Sequence, residues 1–130
     1  MEKLNKSNHP QCTGIIRPVQ DALDVLNGKW KLPIIVALLH GYRRFSEISR
    51  QVHGITDRML SKELRDLELN QLVNRTVYDT FPVTVEYTMT EYGETLKDVI
   101  GALHVWGANH RRKIFGNDLS KEPADKDHLA

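Results

Sequence analysis

Arg58, Ser61, Lys62 and Arg65 recur three to four residues apart, the spacing of neighbours on one helical face. Each helical residue advances about 100° around the axis, so the three cations gather on one side with Ser61 at their flank. Leu60, Leu64 and Leu67 gather on nearly the opposite side. A leucine face with an opposed cationic stripe suits a helix anchored on a core and offering charge to a polyanion. A solvated face is the plainer account, because Lys62 has Asp66, and Arg65 has Glu68, within reach. Arg43-Arg44 and Arg75 add cations on either side of this segment. Cys12 is the lone thiol; a reactive role would require a lowered pKa, and His9 and Arg17 are the nearest residues that could lower it. A bystander thiol is the alternative.

Covalent and metal chemistry find little support. The six histidines (9, 40, 53, 104, 110 and 128) show no ligand spacing, and one cysteine cannot make a Cys-x-x-Cys pair. There is no glycine-rich phosphate loop and no nucleophile elbow. The chain reads as a binding protein, not an enzyme, with no cofactor and no metal expected.

The cationic stripe belongs to an ordered plan. A short helix is expected over Phe45–Val52 with Ser46 as N-cap, and Gly54 supplies the turn after it. Thr56 caps the helix that carries the stripe and runs to Asn70. Val73 and Val77, then Val83, Val85, Tyr87 and Met89, alternate with polar residues on either side of Asp79-Thr80-Phe81-Pro82. Helix, turn, helix and β-ribbon is the layout of a winged helix, which lays one helix in the DNA major groove. Before this unit, Pro18 is expected to open a helix ending at Asn27-Gly28. A helix apolar almost all round follows from Trp30 to Gly41, with Pro33 in its first turn. After the ribbon, Thr90 should cap a last long helix over about 91–112, with Leu96, Val99, Ile100, Leu103 and Trp106 on one side and Gly107 at a bend. Arg111-Arg112-Lys113 suits the negative end of its dipole as well as any anion.

The totals agree with one domain of mainly α structure plus a small β-ribbon (α+β): 130 residues, 40% hydrophobic, formal charge +1. The charge is unevenly spread. Residues 15–55 hold six Lys/Arg and three acids, whereas residues 114–130 hold two Lys and four acids. A flexible arm over 1–14, a folded unit over 15–113 and a disordered acidic tail over 114–130 are expected. With no long apolar run, no leader-like segment and a single cysteine, a cytoplasmic location and no membrane partner are expected.

Taken in order, Leu23-Asp24-Val25-Leu26-Asn27-Gly28-Lys29-Trp30, Arg43-Arg44-Phe45-Ser46-Glu47-Ile48, Gly54-Ile55-Thr56-Asp57-Arg58-Met59-Leu60-Ser61, Val85-Glu86-Tyr87-Thr88-Met89-Thr90 and Trp106-Gly107 resemble the HxlR family of bacterial winged-helix transcription regulators. The resemblance covers about residues 15–112. It implies a homodimer on a pseudo-palindromic operator of double-stranded DNA, with the first and last helices as dimerisation elements. It also implies a response to redox or small-molecule stress, for which Cys12 is the candidate switch although the usual Cys-Pro pair is absent. The wing departs from the family pattern: Val83 and Thr84 stand where relatives often carry a cation. Arg43, Arg44, Ser46 and Arg75 are therefore the expected phosphate contacts, and Thr56, Arg58, Ser61 and Lys62 the expected base-edge contacts. Arg65 lies further along and is expected on the backbone. A winged helix that binds proteins and has given up DNA is the alternative, favoured by the near-neutral charge.

Overall fold

The computed structural model describes residues 9–116. Its elements are α1 (His9–Val25), α2 (Lys31–Leu39), α3 (Phe45–Gln51), α4 (Asp57–Leu69), β1 (Val73–Tyr78), β2 (Thr84–Met89), α5 (Glu91–Glu94) and α6 (Lys97–Phe115). The winged helix-turn-helix expected from the residue pattern is present, as α3, α4 and the β1–β2 ribbon. Ile34 and Ile35 of α2, Ile48 of α3 and Leu60, Leu64 and Leu67 of α4 are all essentially inaccessible and form one core with Val52, Ile55, Leu72 and Val73. The apolar α2 is thus the centre around which α3, α4 and the ribbon pack.

Local chemistry fixes where these helices stop. Gly41 closes α2 at φ 97, its amide donating to the Leu38 carbonyl and that of Tyr42 to Ala37. α4 closes in the same way without a glycine. Gln71 takes φ 64, its amide bonds the Glu68 carbonyl at 2.9 Å, and the Leu72 amide bonds Leu67 at 3.0 Å. A left-handed non-glycine residue costs about 1–2 kcal/mol. The turn is held nonetheless, because it drives Leu72 into the core and lets the Gln71 carbonyl accept the Thr90 hydroxyl at 2.7 Å.

Four expectations need correction. First, α1 opens at His9, not at Pro18, so Pro18 lies inside the helix and Cys12 sits on it rather than on an arm. Pro18 still cannot donate to the carbonyl one turn back, so the helix runs through it with one bond fewer. Second, Arg44, not Ser46, occupies the N-cap position of α3. There the Glu47 carboxylate reaches back to accept the amides of Arg43 (3.2 Å) and Arg44 (3.1 Å). Third, Thr90 caps the single turn α5, accepting from Gly93 N, and the long helix starts afresh at Lys97 and runs unbroken past Gly107 to Phe115. Fourth, β2 starts at Thr84 and is half-buried throughout with no alternation; Val73 is buried because the ribbon's base packs on the core, whereas Val77 and Val83 lie outside that cluster and are exposed. The parts of the expected arm and tail over 1–8 and 117–130 lie outside the described residues.

The ribbon is antiparallel, Val73 facing Met89, Arg75 facing Tyr87 and Tyr78 facing Thr84. Its base is tied down twice. The Tyr87 amide donates to the Arg43 carbonyl at 2.9 Å, and the Thr90 amide donates to Leu72 at 3.0 Å. Gly93 lies under the same carbonyl of Leu72: a Cβ there would stand 2.2 Å from it. Gly93→Ala is therefore expected to lower the unfolding free energy by about 1–3 kcal/mol through overpacking. Urea denaturation measures this, and a wild-type midpoint would show that the chain shifts aside at no cost.

Candidate nucleic-acid interface

α4 is presented by its caps and its leucines. Thr56 Oγ1 accepts the Met59 amide at 3.1 Å, as expected of an N-cap, and Asp57 supplies a favourable charge in the first turn. With Leu60, Leu64 and Leu67 turned inward, Thr56, Arg58, Ser61, Lys62 and Arg65 are all exposed. The structure thus brings these five together on one open face. Arg43, Arg44 and Ser46 are exposed at the start of α3, and Arg75 is exposed on β1. Cys12 is half-buried on α1, an element separate from this group.

Several of these groups already have partners. Lys62 Nζ lies 3.3 Å from Asp66 Oδ2, and Arg43 Nη1 lies 3.8 Å from Glu86 Oε1. Both cations remain more than half exposed, so these pairs contribute little and yield readily to a stronger anion. Arg58, Arg65 and Arg75 make no ion pair among the described residues. The amides of Arg43, Arg44 and Met59, near the starts of α3 and α4, are taken up by Glu47 and Thr56. The amides of Arg44 and Arg43 hold the Glu47 carboxyl below the usual carboxylate range, that of Arg44 being the larger cause.

Sequence reasoning missed the buried charge that orients α4. Lys31, in the first turn of α2, is almost fully buried, with Nζ 2.5 Å from Glu63 Oε1, 3.5 Å from Asp66 Oδ2 and 3.4 Å from Asn27 Oδ1. One ammonium therefore links the turn after α1 to the inner edge of α4. Burial acts to lower its pKa, but the hydrogen bond and charge of Glu63, with help from Asp66, leave it raised above the ordinary lysine value. The signal was a lysine opening an otherwise apolar helix; nothing in the sequence named its partner. Tyr87 was also missed as a site residue. Opposite residues of a ribbon share a face, so Arg75 and Tyr87 lie side by side. Together with Ser61, Arg65 and Glu68 they line an open depression between α4 and the ribbon.

The family model described as HxlR-like helix-turn-helix matches residues 25–115, which spans α2 through α6. The chain belongs to this HxlR-like family. It is similar to the uncharacterized HTH-type transcriptional regulator YtcD of Bacillus subtilis (strain 168), at 42% identity over 102 residues, covering 78% of this chain and 81% of that one. An uncharacterized HTH-type regulator of Methanothermobacter thermautotrophicus is 44% identical over 99 residues, covering 76% of this chain and 72% of the relative. Among solved structures, the redox regulator HypR in its reduced form superposes with a TM-score of 0.71 at 40% identity, covering 75% of this chain and 96% of that chain. This HxlR-type protein is a DNA-binding transcription regulator of the winged-helix class. Among its described residues, no helix is long and apolar enough to cross a membrane.

Two outcomes test the charge arrangement of this HxlR-type helix. Lys31→Met strands a buried carboxylate and is expected to destabilise the fold by about 3–5 kcal/mol, whereas Lys31→Met/Glu63→Leu recovers most of it. Chemical denaturation of both variants measures this; equal loss in both would refute the pairing. Partial burial pushes the Asp66 carboxyl up, but Lys62 and then Lys31 outweigh it and hold it below the ordinary value. A lowered carboxyl stabilises the fold above its ordinary pKa and loses that contribution as pH falls through the lowered one. Thermal melts below about pH 4 should therefore fall less steeply with acid in Asp66→Asn than in wild type.

Proposed function

We propose that the protein binds a pseudo-palindromic DNA operator as a homodimer, with α4 of each copy in the major groove. The observation that carries this reading is the open face of α4. Leu60, Leu64 and Leu67 are buried, and Arg58 stands exposed and unpaired among the described residues, beside Ser61 and Lys62. Thr56, Arg58, Ser61 and Lys62, at or near the start of the helix, reach base edges. Arg43, Arg44, Ser46, Arg65 and Arg75 meet the phosphate backbone and set the register.

The homodimer reading is supported by two uncovered faces. Ile16, Val19 and Leu23 of α1, and Val99, Leu103 and Trp106 of α6, are all about half exposed or more, with Trp106 at 68%. α6 buries no residue in one chain. Apolar helical faces left open in this way are what a second copy would cover. The solved relative HypR is described as a redox regulator in reduced and oxidised forms, which supports a redox response here with Cys12 on α1 as its thiol.

Selection of bound duplexes from a random pool, followed by titration over a salt series, tests the reading. Affinity for the selected site should fall steeply with salt. Arg58→Ala should cost about 1–3 kcal/mol on that site and far less on unrelated DNA. An equal loss on both would place Arg58 on the backbone. Repeating the titration under diamide with wild type and Cys12→Ser tests the switch, which falls if the two respond alike.

A further inference from the structure

The basic face of α4 is one continuous stripe around the helix axis, and one edge of it meets the ribbon. At about 100° per residue, Ser61, Arg65 and Glu68 fall within an arc of about 60°, and Arg58 and Lys62 lie to one side of it. The first group borders the ribbon. Ser61, Arg65 and Glu68 line the open depression whose other wall is Arg75 and Tyr87, paired across β1 and β2. Arg65 and Arg75 come from different elements, yet they converge on one polar concavity, and neither has an ion pair among the described residues. Ser61 and Tyr87 add two hydroxyl groups to the same lining. The ribbon tip, by contrast, has no cation between residues 76 and 85 and ends in the fully exposed Phe81.

We infer that this depression seats one phosphodiester of the bound DNA strand, gripped by Arg65 and Arg75 with Tyr87 as a hydroxyl donor. The inference rests on the DNA-binding reading and assigns one step of it to one place. Charge selects the ligand class. Two guanidiniums and the Glu68 carboxylate leave a net charge of one positive unit, which a phosphodiester neutralises. A phosphomonoester with nearly two negative charges at neutral pH would be left in excess against Glu68. Shape agrees: four of the five lining residues are exposed, so the seat suits a strand passing across it rather than an enclosed small molecule. Guanidinium forks match phosphate oxygens bidentately, so the two arginines fix strand position as well as charge. The wing then anchors DNA from its base, which is tied to α3 through Tyr87 and Arg43, and needs no cation at its tip.

A scan of single neutral methylphosphonate linkages through the selected operator tests this. In wild type, one linkage per half-site should weaken binding about tenfold, as loss of a charged hydrogen-bonded partner does. The same linkage should cost Arg65→Ala and Arg75→Ala clearly less than it costs wild type, because each keeps one guanidinium on that phosphate, and it should cost Arg65→Ala/Arg75→Ala almost nothing. Tyr87→Phe keeps the ring and removes only the hydroxyl; it should weaken binding to natural DNA and respond less to that linkage. Arg65 and Arg75 mapping to two different linkages, or to none, would overturn the inference. So would calorimetric binding of inorganic phosphate to wild type that Arg65→Ala/Arg75→Ala abolishes without any responding linkage, since the seat would then belong to a small phosphorylated ligand. Failure of wild type to bind any duplex in a salt-dependent way is a separate result and would overturn the DNA reading itself.

Discussion

The burial of Leu60, Leu64 and Leu67 against α2 and α3 is the constraint on which the rest depends. Each buried leucine contributes about 1.5–3 kcal/mol, so together they match much of the net stability of a small domain, about 5–15 kcal/mol. They do more than stabilise. A helix fixed along one side has only one side left to offer, and here that side carries Arg58, Ser61, Lys62 and Arg65. Hydrophobic contact is non-directional, however, and three leucines alone would tolerate some roll about the axis. The Lys31–Glu63 pair supplies direction, because a buried charge tolerates few arrangements.

The near-neutral total charge conceals a sorting of charges by place. Three acids serve the framework: Glu47 closes the start of α3, Glu63 meets Lys31, and Asp66 is shared between Lys31 and Lys62. The cations are left mostly outward. Where acids do reach the open face, at Asp66, Glu68 and Glu86, they sit beside cations in exposed pairs or in the depression's lining. Such pairs are weak in water and are exchanged for phosphate at little cost. A protein of formal charge +1 can thus present a local cationic surface without coating DNA indiscriminately.

The wing-base seat and the uncovered helices address separate tasks. The seat fixes where a strand lies against α4. The open faces of α1 and α6 concern how two such units are spaced, which is what the proposed half-site geometry requires. Cys12 lies on α1, among the elements that would set this spacing and away from the seat. In the proposed scheme an oxidation signal therefore acts on the distance between recognition helices, leaving the groups that touch DNA intact.

The sequence by itself determined the order of elements, the inward leucines and the outward cations, because helical and strand periods are local properties read from spacing. Thr56 was legible as a cap for the same reason. The termini of elements were less so: Ser46 looked like a cap, but Glu47 closes that end, and Pro18 looked like a start although α1 runs through it. Local propensity competes there with bonds that a neighbouring turn supplies. Only the tertiary structure decided the Lys31–Glu63 pair, 32 residues apart, the close packing of Gly93 on Leu72, and the convergence of Arg65 with Arg75 and Tyr87. Each depends on how α2, α4 and the ribbon lie against one another. That arrangement is set by the shapes meeting in the core, and no periodicity along the chain encodes it.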